Sequence, residues 1–128
     1  MRKYIIILVS IIMIIGLIGC EEQSMSYTQI SMEEALVMME KEIDYIILDV
    51  RTAEEFAQKH IPDAINIPNE TIGSEELAEL PDKNQLILVY CRSGNRSKQA
   101  SEKLVALGYT KIYEFGGIND WTGETVSE

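Results

Sequence analysis

The sequence has few of the residues that metal sites, disulfide frameworks and nucleic-acid surfaces require. Its 128 residues include two cysteines and one histidine, His60. Structural zinc sites built from four Cys, or from two Cys and two His, are therefore excluded, as is a domain held together by several disulfides. Positive charge is also scarce, since 11 Lys and Arg stand against 21 Asp and Glu, for a net charge of −10. Nucleic-acid binding normally needs clustered basic side chains, so we expect no nucleic-acid partner.

A long hydrophobic run lies at the beginning of the chain. Tyr4–Ile15 is apolar except for Ser10, and Arg2 and Lys3 precede it. A secretory signal has this form, with a positive region followed by an apolar region of about 7–15 residues. A membrane-spanning helix needs about 20 apolar residues, which is more than this run supplies. We therefore predict that residues 1–19 are a signal peptide.

Leu17-Ile18-Gly19-Cys20 follows this run and resembles the bacterial lipobox, the motif in which a Cys is acylated and the chain is cut before it. The resemblance implies that Cys20 is a lipidation site and that residues 20–26 are the acylated Cys and a tether. Two or three acyl chains hold a protein stably on a bilayer. We therefore expect an extracytoplasmic protein, lipid-anchored to a bacterial membrane. An uncleaved signal anchor that merely contains a Cys is the alternative.

Residues 27–128 form one predicted domain in which strands alternate with helices. Two apolar runs have the length of strands covered on both faces, Tyr45–Val50 and Gln85–Tyr90. Shorter strands are predicted at Tyr27–Ile30, Ala64–Ile67 and Lys111–Phe115, and helices near Met32–Met39, at Glu54–Lys59, at Glu75–Leu80 and at Ser97–Leu107. The alternation predicts an α/β domain with a central, mostly parallel five-stranded sheet flanked by helices.

Two local patterns indicate where helices begin. Ser31 with Glu34, and Thr52 with Glu55, have the spacing of a capping box. In this motif the hydroxyl and the carboxylate satisfy N–H groups that the helix itself leaves free. We therefore predict that helices begin just after Ser31 and just after Thr52.

The second apolar strand is followed at once by Cys91 and then by a predicted helix. In parallel sheets, ligands bind beyond the carboxyl ends of the strands. Gly94 and Asn95 tolerate positive φ, so the N–H groups of the connecting loop can point inward. These N–H groups, the helix dipole, Arg92 and Arg96 would converge on the sulfur, and such surroundings favour a thiolate. We therefore predict a thiolate inside an anion cradle.

A purely structural role for Cys91 is the alternative. A free Cys after a core strand is often a small buried hydrophobic residue. That role does not explain the neighbouring Arg92 and Arg96, because guanidinium groups are costly in a dry core.

Four segments resemble the signature segments of the rhodanese family of sulfurtransferases. They are Leu48-Asp49-Val50-Arg51 with Glu54-Glu55-Phe56, His60–Pro68, Cys91–Ser97 and Gly116–Trp121. Because they are spread in order over nearly all of residues 27–122, the resemblance implies a rhodanese-like three-layer domain over residues 27–128. Asp63 departs from the family, which usually has Gly there, although both are turn residues.

The resemblance also implies the chemistry. Cys91 would be the catalytic nucleophile, which takes sulfur from thiosulfate or another small anionic donor, carries it as a persulfide and passes it to a thiol or to cyanide. The substrate would be bound by the rest of the loop, which comprises Arg92, Ser93, Gly94, Asn95, Arg96 and Ser97. No metal ion or other cofactor is implied, and we expect a monomer.

Asp49, Arg51 and His60 match further family positions. We favour structural support for them, as a buried hydrogen-bond network at strand ends, because buried polar groups must be paired. Positioning of the active loop or of the substrate is the alternative.

Other functions share this fold. The related phosphatases and arsenate reductases also use a loop Cys, but their loop has one more residue between Cys and Arg. Four residues separate Cys91 from Arg96 here, and this smaller loop favours sulfur transfer because pocket shape sets substrate choice. A persulfide carrier that serves a partner protein remains open. A non-catalytic docking module is less favoured, since such modules commonly lose the loop Cys.

Overall fold

The computed structural model describes residues 26–128, which form a single sheet with helices on both faces. The strands are β1 (Thr28–Gln29), β2 (Tyr45–Asp49), β3 (Ile65–Asn66), β4 (Leu86–Cys91) and β5 (Lys111–Gly117). The helices are α1 (Met32–Lys41), α2 (Ala53–Gln58) and α3 (Asn95–Ala106), with 3₁₀ turns at Asn69–Thr71 and Ile118–Asp120. The strand order is β1-β5-β4-β2-β3 and every pairing is parallel, which confirms the predicted five-stranded α/β fold.

Side chains that alternate along the central strands divide the core into two clusters, one on each face of the sheet. On the face covered by α3, the buried cluster includes Ile87, Val89, Cys91, Ala100 and Leu104. On the face covered by α1 and α2, it includes Ala35, Ile47, Leu88, Tyr90 and Phe115, with Phe56 packed against them. The three layers therefore place the α3 side chains over the end of β4.

Both predicted capping boxes are confirmed. At α1, Ser31 Oγ accepts a hydrogen bond from the Glu34 N–H, and the Ser31 N–H donates to Glu34 Oε1, both at 3.1 Å. At α2, Thr52 Oγ1 accepts from the Glu55 N–H, and the Thr52 N–H donates to Glu55 Oε1, both at 3.2 Å. Local spacing alone therefore fixed where these two helices begin.

The predicted helix at Glu75–Leu80 is wrong, because the structure has one bend, at Glu75, and one turn there. Leu77 packs against the core and Leu80 is buried in it, with the Leu80 N–H donating to the Leu77 carbonyl at 3.0 Å. One turn is enough to bury an apolar pair three residues apart. A segment this short, stopped by Pro81, is too short to propagate a helix.

The elements around the Cys91 loop reach further than the sequence indicated. β4 includes Cys91 as its last residue, and α3 begins at Asn95 instead of Ser97. β5 continues to Gly117 and is bulged, because the register changes from Val89 opposite Glu114 to Cys91 opposite Gly117. The bulge adds one residue to β5 directly beside the loop.

The predicted signal peptide and Cys20 lie outside the described residues. Within residues 26–128, no helix combines the length and the hydrophobicity that crossing a membrane requires.

Candidate active site

Cys91 ends β4, a central strand that lies between β2 and β5. Its side chain packs with Val89 and Ala100 on the α3 face, and the residue is 1% exposed. Because it is still part of the strand, the sheet backbone fixes its position. The sulfur therefore lies at the carboxyl end of the sheet, at the point where the chain turns into α3.

One group of the following loop and one group of α3 contact the sulfur. The Gly94 N–H donates a hydrogen bond to Cys91 Sγ at 3.0 Å, and Sγ lies 3.3 Å from Ser97 Oγ. Gly94 has φ +116°, a conformation that side-chain-bearing residues rarely adopt. Asn95 is the first helical residue and does not have a positive φ. The turn of the loop therefore depends on Gly94, and the expectation that a positive φ at Asn95 contributes to it is wrong.

The amino-terminal end of α3 has no side-chain cap. Its N-cap residue is Gly94, and its first turn contains no acidic residue. The free N–H groups and the positive end of the helix dipole are therefore left for another partner. A thiolate or a bound anion next to Cys91 is a suitable partner.

Of the two loop guanidinium groups, that of Arg96 is paired with a carboxylate of α2. Arg96 binds Glu55 of α2 through two hydrogen bonds, from Nη1 to Oε1 at 2.7 Å and from Nη2 to Oε2 at 3.0 Å. This contact holds the pKa of Glu55 well below its usual range, at about 2, and raises the pKa of Arg96. Most of the charge of Arg96 is therefore compensated within the protein.

Arg92 is exposed and lies beside a cavity of about 300 Å³. The cavity is lined by residues of α2, of the loop and of the last 3₁₀ turn: Arg51, Glu55, Gln58, Lys59, Arg92, Ile118 and Asn119. Arg51 is paired with Asp49 and Glu55 with Arg96, so Lys59 and Arg92 give this cavity a positive lining, although the chain as a whole is acidic. Ser93 and Asn95 are exposed as well.

The end of β5 supports the loop from behind. A Cβ atom on Gly117 would lie 2.0 Å from the Arg92 carbonyl oxygen, so only glycine fits there. The Asn119 N–H donates to the same oxygen at 3.2 Å. The segment Gly116–Trp121, identified by its resemblance, is thus the surface against which the Cys91 loop is packed.

Asp49 and Arg51 form a buried network at the end of β2, with exposed fractions of 0% and 4%. Arg51 donates to both carboxylate oxygens of Asp49, with the shortest distance 2.7 Å, and its Nη2 also donates to the Lys59 carbonyl at 2.6 Å. Burial, together with a hydrogen bond to Asp49, raises the pKa of Tyr90, whose hydroxyl accepts from the Ile61 N–H. The network therefore ties β2 to β4 and to the segment after α2.

His60 is buried away from the sulfur's contacts. Its ring stacks on Phe56 with the ring centres 3.7 Å apart, and its Nδ1 lies 2.7 Å from the Phe56 carbonyl oxygen. Its backbone pairs with Val126, which brings the C-terminal segment beside α2. His60 therefore packs against α2 through Phe56 and is not one of the groups that contact the Cys91 sulfur.

Glu114 is a residue of this site that the sequence analysis missed. It is 2% exposed on β5, and its Oε2 accepts a hydrogen bond from Ser97 Oγ at 2.6 Å. The signal was present in the sequence, because a strand at Lys111–Phe115 alternates and puts Ile112 and Glu114 on the same face. A carboxylate at a core position beside an apolar one indicates either function or a specific partner.

The site can perform nucleophilic chemistry on a small anion. The thiol lies beside the free N–H groups of α3, and Arg92 of the same loop lines the positive cavity. N–H groups and cationic side chains stabilise a thiolate and an anionic substrate. Within residues 26–128, no three His, Cys, Asp or Glu side chains are grouped so as to hold a metal ion.

Known proteins similar to this chain share one family. Residues 31–124 match the model of the rhodanese-like domain family. Thiosulfate sulfurtransferase PspE of Escherichia coli is 41% identical over 73 residues, which cover 57% of this chain and 70% of the relative. Thiosulfate sulfurtransferase GlpE of Coxiella burnetii is 34% identical over 98 residues, which cover 76% of this chain and 89% of the relative.

A solved structure agrees with this assignment. A rhodanese from E. coli, determined with anions, superposes with a TM-score of 0.60 at 39% sequence identity. The superposition covers 66% of this chain and 99% of that one. Since the family match spans most of the sequence and the same fold is found in the structure, the chain belongs to the rhodanese-like domain family.

Proposed function

We propose that this protein is a sulfurtransferase in which Cys91 carries sulfur as a persulfide. The observation that carries the proposal is the position of the sulfur, which accepts the Gly94 N–H at 3.0 Å beside a helix end without a side-chain cap. This environment suits an anionic sulfur both before and after it is loaded. The two relatives named as thiosulfate sulfurtransferases support thiosulfate as the donor.

The first half-reaction loads the cysteine. The Cys91 thiolate attacks the outer, sulfane sulfur of thiosulfate, so that a new S–S bond forms at Sγ. The S–S bond of thiosulfate breaks, and sulfite leaves with the electron pair of that bond. We expect Arg92 and the free N–H groups of α3 to bind the negative charge of the donor and of the departing sulfite.

The second half-reaction requires a nucleophile from outside. Cys91 is a free cysteine, and the sequence offers only Cys20 as a second one, which we expect to be acylated. An external thiol or cyanide therefore attacks the outer sulfur of the persulfide, and the Cys91 thiolate leaves with the electron pair of the S–S bond. Such a two-step transfer predicts ping-pong kinetics.

Intact-mass spectrometry tests this function. After treatment with thiosulfate and no acceptor, the protein should carry one additional sulfur atom, which cyanide should remove as thiocyanate. The Cys91→Ser variant should gain nothing, whereas Cys20→Ser should load normally. Multiple turnovers without any added nucleophile, or normal turnover by Cys91→Ser, would contradict the proposal.

Activity measurements on the same protein also test two alternative functions. A persulfide carrier would load with thiosulfate but discharge far faster to the thiol of a partner protein than to cyanide. A phosphatase or arsenate reductase would turn over an aryl phosphate or arsenate, which the six-residue loop from Cys91 to Arg96 disfavours. Steady-state rates with each substrate separate the three.

For the N-terminal segment we propose acylation of Cys20, from the lipobox-like Leu17–Cys20 after an apolar run. The mature wild-type protein should partition into detergent with membranes. Cys20→Ala should accumulate as an unacylated precursor that retains residues 1–19. A mature wild-type protein with a free Cys20 thiol would overturn this proposal.

A further inference from the structure

The cavity lined by Arg92 has a second cationic side chain, which the loading of Cys91 as described above does not use. Lys59 is exposed directly after α2 and lines the cavity together with Arg92. The other two ions of the lining are compensated, since Arg51 is paired with Asp49 and Glu55 with Arg96. These are the two salt bridges found within residues 26–128, and neither involves Lys59 or Arg92. The cavity therefore offers two cationic groups to an anionic ligand.

The backbone of Lys59 is held at both of its polar groups. Its N–H donates to the Glu55 carbonyl at 3.2 Å, and its carbonyl accepts from Nη2 of the buried Arg51 at 2.6 Å. The side chain of Lys59 therefore begins from a fixed point at the cavity. A lysine at this end of a helix also complements the helix dipole, but that role alone does not require it to line a cavity.

The cavity is larger than the sulfur donor requires. Thiosulfate is one small oxyanion, whereas about 300 Å³ lies at the lower end of the range for sites that hold organic ligands, about 300–1,000 Å³. Besides the two cations, the side chains of Gln58 and Asn119 line it. Their amide groups both donate and accept hydrogen bonds. The lining therefore suits an organic molecule that carries carboxylates.

This cavity adjoins the segment that carries the reacting sulfur. Arg92 follows Cys91 directly, and consecutive Cα atoms are about 3.8 Å apart. The Arg92 carbonyl accepts from the N–H of Asn119, a second residue of the lining, at 3.2 Å. In a ping-pong reaction the first product leaves before the second substrate binds. Arg92 can therefore bind the donor first and an anionic acceptor afterwards.

We propose that this cavity is the acceptor site of the second half-reaction, and that its ligand is a low-molecular-weight thiol bearing carboxylates, bound by Lys59 and Arg92. The thiolate of the acceptor attacks the outer sulfur of the Cys91 persulfide and forms a new S–S bond. The bond between that sulfur and Cys91 Sγ breaks, and its electron pair stays on Sγ. The acceptor leaves as a hydropersulfide, whose outer sulfur keeps its proton. This inference rests on the proposed function, because it needs the persulfide.

Discharge of the isolated persulfide tests the proposal. Full-length protein with Cys20→Ser, so that Cys91 is its only thiol, is loaded with thiosulfate, freed of the donor and mixed with glutathione or with glutathione diethyl ester, in which both carboxylates are blocked. At low salt, Lys59→Gln should lower the rate constant with glutathione by about three- to fivefold, the size of one exposed ion pair. The rate constant with the ester should change by less than about twofold, because the ester has no carboxylate for Lys59 to bind. Intact-mass spectrometry follows the loss of the added sulfur.

Comparing each variant with wild type for the same acceptor removes the difference in reactivity between the two thiols. Lys111→Gln is the matched control, since Lys111 is an exposed lysine at the beginning of β5, at the end of the parallel sheet opposite Cys91. It should change neither rate constant. Added salt should bring wild type and Lys59→Gln together with glutathione, because salt screens exposed charges.

Two results would assign Lys59 a different role. Equal slowing with glutathione and with its ester would show that Lys59 acts through the structure of the loop and not on the carboxylates. Slowing of thiosulfate loading as large as that of discharge to glutathione would make Lys59 part of the donor site. Either result overturns the acceptor site.

Failure of this proposal is distinguishable from failure of the proposed function. If thiosulfate loads sulfur and Lys59→Gln discharges to glutathione as wild type does, the acceptor site is wrong and sulfur transfer stands. If thiosulfate loads no sulfur, the sulfurtransferase assignment is wrong. Binding of S-methylglutathione, which has no free thiol, then tests the cavity alone by nuclear magnetic resonance. Binding that Lys59→Gln weakens supports the site for a carboxylated ligand, and no binding by wild type overturns it.

Discussion

Two neighbouring strands of the sheet, β2 and β4, are each followed by a helix. The two connections differ in which groups form hydrogen bonds with their free N–H groups. The connection from β2 to α2 is completed by its own side chains: Asp49 and Arg51 pair in the interior, and Thr52 caps the helix. The connection from β4 to α3 has Gly94 in the cap position and a sulfur as the acceptor of its N–H. We call the connection from β2 to α2 closed, because its own side chains satisfy its polar groups. We call the connection from β4 to α3 open, because its N–H groups are left for a ligand.

The charges of the two helices follow the same division. The first turn of α2 carries Glu54 and Glu55, which complement the positive end of its dipole, whereas the first turn of α3 carries no acid. The comparison teaches that one supersecondary unit can serve either stability or chemistry. The outcome depends on whether its polar groups are satisfied internally.

The largest effect on stability is expected at the closed connection. Asp49→Asn leaves the Arg51 guanidinium buried without its counter-charge, so the free energy of unfolding should fall by about 3–5 kcal/mol. Urea denaturation measures it. Asp120→Asn removes an exposed carboxylate and should change stability by less than about 0.5 kcal/mol. An unfolding free energy of Asp49→Asn equal to that of wild type would show that the closed connection does not depend on its ion pair.

A smaller loss of stability, with a larger loss of activity, is expected where the open connection rests on β5. In Gly117→Ala the new Cβ would lie 2.0 Å from the Arg92 carbonyl oxygen, so the loop must move away. This overpacking should lower the free energy of unfolding by about 1–3 kcal/mol. Because the displaced loop carries the sulfur's donors, thiosulfate turnover should fall by about 100-fold. Gly73→Ala, whose Cβ meets nothing within 4 Å, is the matched control for both measurements. Full activity in Gly117→Ala would mean that the loop does not need this support.

The smallest effect concerns the ion pair that joins the two connections. The pKa of Glu55 is about 2 in the folded protein against a usual 4.5, so its pairing with Arg96 stabilises the fold above about pH 4.5. That contribution, about 1 kcal/mol for a partly exposed pair, should be lost as the pH falls through about 2. The difference in unfolding free energy between wild type and Glu55→Gln should therefore shrink in acid. If this difference stayed constant with pH, the effect of Glu55→Gln would come from packing and not from the ion pair with Arg96.

The sequence was most informative where structure is decided locally. The two capping boxes and the apolar strands were readable because their patterns lie within a few residues of each other. The loop at Cys91 was readable because strand, thiol and helix follow one another directly. The prediction of a helix at Glu75–Leu80 failed because two leucines three residues apart fit one turn as well as they fit a helix.

The pairings within the site could not be predicted in the same way. Glu55 and Arg96 are separated by 41 residues, and Ser97 and Glu114 by 17, so no local pattern joins them. Each pairing depends on strand order and register, which place α2 beside the start of α3 and β5 behind it. Alternation along β5 could have identified Glu114 as a buried carboxylate, but not its partner.

The two edges of the sheet have a consequence for how copies of this protein behave when crowded. Sheets join edge to edge when an outer strand presents a long row of unpaired N–H and C=O groups. Here both outer strands, β1 and β3, are two residues long, while the strands between them have five to seven residues. In the part of the chain that the structure describes, the outer strands themselves therefore offer a neighbouring copy little backbone on which to extend the sheet, and we expect these edges to resist amyloid-like association.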